Sequence, residues 1–170
     1  TTSGVQSIGH GLSSAPELII QKTLNVPGGS YWAVYSLPTG TGKLLRLNES
    51  SSVFTDSSFM TAVGNSTFTT SWSGTSYDYI NYCFTSIPGY SKIGSYIGQT
   101  AGVTIYTGFQ PRFIMVKASQ ATYPENWAIL DAVRGSGKCL NPNLPNAETD
   151  STLNTFTTTA TGFSFPNQNI

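Results

Sequence analysis

Much of this chain occurs twice. PELIIQK, from Pro16 to Lys22, returns as PRFIMVK from Pro111 to Lys117. WAVYS returns as WAILD, and GTGKLLRLN as GSGKCLNPN. All three pairs share one offset of 95 residues (Pro16 to Pro111, Trp32 to Trp127, Gly40 to Gly135). Chance does not hold register over such a span, so the chain reads as an internal duplication, with copies at 4–90 and 101–170. Whatever it folds into must be assembled from two related halves. The second copy also stops sooner: the first runs on through SYDYINYCF (76–84), whereas the second reaches TGFSF (161–165) and Ile170.

The residues that would otherwise be charged are Thr, Ser, Gly and Asn; charged side chains make up only 9% and the formal net charge is zero. Val, Ile, Tyr, Phe and Trp supply the apolar share. Both groups favour strands and turns over helix, and no window shows sustained 3.6-residue periodicity. The expected fold is all-β: a single β-sandwich domain over 1–170, jelly-roll-like, built from two duplicated halves. These can pack as two small sandwiches or interleave in one, and interleaving is expected because a lone half would bury little surface. The sparse Lys and Arg argue against a nucleic-acid partner, and the short apolar runs (LII, FIMV, WAIL) against membrane insertion by a helix.

Residues 17–22 and their copy are apolar on both faces, which marks strands covered twice. Residues 31–36 and 126–131 read as the next strand of each copy. The Gly-rich turns PTGTGK and RGSGK then lead into residues 44–47 and 139–140. Phe68, Thr70 and Trp72 alternate, as do Phe163 and Phe165, and a strand is expected around 94–97. Residues 77–84 carry apolar side chains on both faces and so read as a strand paired on both edges. The counterpart of that strand would fall past Ile170. Its slot, and the strands near Phe163, are therefore expected to be covered by a continuation of the chain, by a strand from a neighbouring subunit, or by symmetric packing. The 170-residue piece is expected to associate with itself.

Few residues suggest chemistry. GTGKLL resembles part of a phosphate-binding loop, but Leu44 and Cys139 stand where a magnesium-holding hydroxyl is needed, so a hairpin turn is expected in both copies. His10, the single histidine, reads as a turn residue; no ligand pair has zinc spacing, and no GxSxG elbow occurs. The carboxylates Asp56, Asp78, Asp131 and Asp150 are scattered, with neither a calcium loop nor a hydrolytic pair. Cys83 and Cys139 are expected to be buried, unpaired thiols, and Trp32 and Trp127 equivalent and buried. Asn48–Glu49–Ser50 and Asn65–Ser66–Thr67 fit the glycosylation triplet. No cofactor, metal or catalytic residue is expected. The candidate surface contacts are Tyr31, Tyr90, Tyr96 and Tyr123, which lie in or beside turns, where a rigid amphipathic ring offers contact at low entropy cost.

Taken together, HGLSSAPELIIQK, YWAVYS, YINYCFTSIPGYSKIGSYIG, YTGFQPRFIMVK, NWAILD and NPNLPNAE resemble a domain of tailed-phage virion structural and tail-fibre proteins from phages of aquatic bacteria. GYSKIGSYIG is the most specific part of the likeness. The resemblance implies a non-enzymatic virion component at the surface of the extracellular particle. One expectation is a tail-fibre or tail-tip domain that binds a glycan or protein of the host surface. The alternative is a capsid decoration or cement protein. In both, the partners are other virion subunits and the chain itself as a homo-oligomer such as a trimer. The resemblance carries over no catalytic residue.

Overall fold

The computed structural model describes residues 4–27, 29–71, 77–120, 122, 124–150 and 155–166. Among these residues there are strands and no helix. The first half carries β1 (Gln6–Gly9), β2 (Leu18–Thr23), β3 (Trp32–Ser36), β4 (Lys43–Arg46), β5 (Phe54–Thr55), β6 (Ala62–Val63), β7 (Thr67–Thr70) and β8 (Tyr79–Phe84). The second carries β9 (Val103–Tyr106), β10 (Phe113–Val116), β11 (Ala128–Asp131), β12 (Lys138–Leu140), β13 (Thr149–Asp150), β14 (Thr157–Thr159) and β15 (Gly162–Phe165).

All pairings are antiparallel, and the pattern of the first half recurs in the second. Sheet β1-β7-β6 matches β9-β15-β14, and β5-β4-β3-β2-β8 matches β13-β12-β11-β10. Registers match as well: Leu18 faces Ser36 as Phe113 faces Asp131, Lys43 faces Thr55 as Lys138 faces Asp150, and Ala62 faces Thr69 as Thr157 faces Ser164. The turns ahead of β4 and β12 hold glycine at equivalent positions, Gly40 and Gly42 in one and Gly135 and Gly137 in the other, all with positive φ. Side chains with a Cβ resist that conformation, so the GxGK spacing is turn chemistry.

The two halves do not interleave. Each closes its own core: Ile19, Ala33, Tyr35 and Leu44 pack on Phe59, Met60 and Phe68 in the first, and Ile114, Ala128, Leu130 and Cys139 pack on Phe156, Phe163 and Phe165 in the second. Each half is thus a small sandwich. What the size argument missed is a third cluster between the halves, where Trp127 and Met115 lie against Val34, Leu45, Leu18 and Ile20. The strand alternation explains it: the odd residues of β2 face the inner core and the even ones the outer face, so one strand serves both clusters.

Three expected features differ. Among the described residues β8 is an edge strand, not one paired on both sides, and its Ile80, Tyr82 and Phe84 are exposed. Residues 92–99 form no ladder, so the strand expected around 94–97 is absent. Trp32 and Trp127 share a backbone position, each N–H donating to the Oδ1 of an asparagine 16 residues on (Asn48 and Asn143). Their side chains nevertheless diverge. Trp127 is buried between the halves, whereas Trp32 is half-buried and stacks on Tyr82 at 6.4 Å between centroids. Trp72 lies outside the described residues.

Candidate functional site

The loops after β4 and β12 meet at the junction of the halves. Asn48, Glu49, Ser50 and Ser51 from one half and Pro124, Asn143 and Leu144 from the other line an open groove of about 360 Å3. Lys117 ties this junction together by donating from Nζ to the Ser50 and Ala118 carbonyls, both at 3.0 Å. Burial pushes its ammonium below the usual lysine range, with Glu125 pulling the other way. The Val53 N–H reaches the Ser119 carbonyl at 2.9 Å, and the Trp127 indole N–H reaches the Arg46 carbonyl at 2.8 Å.

Glu49 is the groove's single carboxylate. It accepts from Arg46 at 2.9 Å and from the Ser51 hydroxyl at 3.2 Å. The Arg46 guanidinium is sandwiched between the Tyr31 and Phe54 rings, 4.1 Å from each centroid. Such stacking holds the guanidinium flat and fixes the Glu49 loop. The groove can offer hydrogen bonds to a polar ligand, but it assembles no acid–base pair. The second half has no such stack: Asn141 stands at the position of Arg46 and donates to the Trp127 carbonyl at 2.7 Å.

The three candidate tyrosines among the described residues, Tyr31, Tyr90 and Tyr96, do not come together. Tyr31 is half-buried against the first core under Arg46. Tyr96 packs on Phe165 in the second core, at 6.1 Å, and burial raises its phenol above the usual range. Neither is a free surface contact; loop backbone runs over the surface, but these side chains turn inward. Tyr123 lies outside the described residues. Tyr90 is 78% exposed. It stands on a turn in which Ile87 N–H donates to the Ser91 carbonyl at 3.0 Å and Ser91 Oγ donates to the Thr85 carbonyl at 3.1 Å.

Sequence reasoning passed over the outer face of the first five-stranded sheet. Part of that face is closed by Trp127 and Met115. The remainder, along the β8 edge, leaves Ile80, Tyr82 and Phe84 in water beside Trp32. The signal was the alternation in YINYCF, which put those three on one face. Other residues sit as turn and core chemistry predicts. His10 Nδ1 accepts from the Leu12 N–H at 3.1 Å, which leaves Nε2 to donate to the Gly64 carbonyl at 3.1 Å. Cys83 and Cys139 are unpaired, in different cores; Cys139 is buried, whereas Cys83 is only half-buried, because its strand lies at the edge. Among the described residues no cluster of three potential metal ligands occurs.

No curated protein and no solved structure matches the chain. A family model does so over residues 1–170, and the chain belongs to that family, described as Domain of unknown function (DUF7483).

Proposed function

We propose that this domain is a non-enzymatic structural module of a tailed-phage virion, part of a tail fibre or tail tip. The motif resemblance, GYSKIGSYIG above all, supplies the setting. The observation that carries the contact role is the row Ile80, Tyr82 and Phe84 beside Trp32, continuous with the outer face that Trp127 already covers. An exposed apolar row on a sheet is an interaction surface by default, since water gains from its removal. Another virion subunit, or a second copy of the chain, is the partner such a face suits. Tyr90, rigidly displayed on its own turn, is the element suited to meet a glycan or protein of the host surface.

The test is location. Gold-labelled antibody against the domain, applied to purified particles, should mark the tail fibre or tail tip. Label spread over the head would favour the capsid-decoration reading instead. Absence of the chain from washed particles would overturn both. Tyr90→Ala particles should assemble normally and adsorb to the host more slowly; unchanged adsorption would remove the host-contact role of that turn.

A further inference from the structure

We propose that the outer edge of β10 accepts a β-strand of the β8 kind, donated by a partner protein other than a second copy of this chain. The mould for this contact is the first half. There β2 is paired on both sides, by β3 and by β8. Its counterpart β10 pairs with β11 in the same register, but no strand of the described residues lies on its other side.

The ladder shows which atoms are open. Leu24 N–H donates to the Asp78 carbonyl and Leu37 N–H to the Glu17 carbonyl, so even-numbered residues of β2 bond β8 and odd-numbered ones bond β3. In the second half Ala132 N–H donates to the Arg112 carbonyl, the counterpart of the Leu37–Glu17 bond. Phe113, Met115 and Lys117 therefore direct N–H and C=O groups to the open edge. A row of such groups is a template for strand addition.

The faces state what the donor must look like. On the outer side it continues Phe113, which is 59% exposed, and Met115. In the first half those places are opposite Phe84 and Tyr82. On the inner side the first half sets Gln21 opposite Asn81 and joins them by a 2.9 Å hydrogen bond. The second half has Val116 at the Gln21 position, packed against its core. A donor there needs an apolar residue where β8 has Asn81, since an amide would be buried without a partner. Arg112 and Lys117 flank the edge. They favour a donor with acidic ends, and they disfavour two-fold pairing of β10 with its own copy, which would crowd four cations on one short ribbon.

This adds a partner class to the proposed function without resting on it, because the experiment reads the edge alone. The probe is a synthetic peptide of residues 77–85 carrying Asn81→Val and Cys83→Ala, added to the full chain and followed by amide exchange. Exchange at Phe113 and Met115 should slow at least tenfold, and the peptide should bind at least fivefold more tightly than its Asn81 parent. Phe113→Pro deletes an edge N–H that meets no strand of the described residues, together with a side chain that is 59% exposed, so it should abolish binding with little change in the melting temperature. If that variant does not fold, a peptide N-methylated at Tyr82 must fail to bind. Unchanged exchange overturns the proposal. So does protection of Phe113 and Met115 without peptide, which would mean that a second copy closes the edge if it rises with concentration, or the chain itself if it does not.

Discussion

Trp127 and Trp32 occupy one position in the repeated strand pattern, yet truncating them should have very different consequences. Trp127 is 4% exposed, and its indole N–H donates to the Arg46 carbonyl at 2.8 Å. A buried Trp removes about 150–250 Å2 from water, worth about 4–6 kcal/mol at about 25 cal/mol per Å2. Alanine keeps a small part of that and leaves a cavity between Val34 and Leu45. Trp127→Ala should therefore cost about 3–5 kcal/mol. At about 2–4 °C per kcal/mol for a chain of this size, the melting temperature should fall by about 6–20 °C. Trp32 has part of its ring in water and rests on Tyr82, so Trp32→Ala should cost only about 1–2 kcal/mol. Urea denaturation followed by circular dichroism measures both. Equal losses in the two variants, or a larger loss for Trp32→Ala, would refute the placement of Trp127 as a wedge between the halves.

Gly162→Ala should be strongly destabilising, by about 1–3 kcal/mol or more, because a Cβ there would come 2.0 Å from the Ile105 carbonyl oxygen; Gly94→Ala, with open space around it, should change the melting temperature little. Burial raises the thiols of Cys83 and Cys139 and the phenols of Tyr35 and Tyr96. A raised value means the fold favours the protonated form, so this stability is complete below the ordinary thiol and phenol ranges and lost as pH rises through the raised values. Lys117, shifted down by burial, offsets part of that loss. Denaturation midpoints should thus decline above about pH 9, and alkylation should modify Cys83 before Cys139; a flat alkaline profile would contradict the burial of these groups. Asp131 is held below the usual carboxylate range by the N–H groups of Val133 and Arg134. Its contribution is present above the ordinary carboxylate value and lost as pH falls through the lowered one. Asp131→Asn should therefore flatten the acid limb of the stability profile, and an unchanged limb would show that the turn does not depend on the charge.

What the sequence made legible was whatever a single strand or turn settles by itself. LIIQK is apolar on alternate residues of both faces, and β2 has a core on each side. The glycines of GTGK and GSGK predict a turn and adopt one. Phe68, Phe163 and Phe165 alternate and fill the two cores. The strands β5, β6, β13 and β14 are only two or three residues long, too short to leave a period. Tyr31 and Tyr96 lie among Gly and Ser, which reports where the backbone runs but not which way a ring turns. Arg46 and Phe165, far along the chain, decide that.

Edge occupancy was the harder matter, because alternation records which faces are buried and carries no information on whether a neighbouring strand is present. Residues 18–22 and 113–117 look alike, yet β2 is central and β10 terminal. YINYCF has apolar residues on both faces, but on its outer side they face water. The repeat itself resolves part of this difficulty. Two halves with the same register form the same ladders, so where equivalent positions hold the same residue, a difference in burial comes from what packs on them. Trp127 is buried because the first half lies over it; Trp32, at the same rung, rests on Tyr82 and lies under the Lys22 ammonium. By the same comparison, Val116 in place of Gln21 marks the β10 slot as more apolar than the one β8 fills. Val116 is only half-buried against the second core, so the slot keeps apolar surface in water beside an open strand edge. A closely packed donor strand gives the substitution a stabilising role, and for that reason the Asn81→Val peptide, rather than the parent β8 sequence, is the more discriminating probe of this edge.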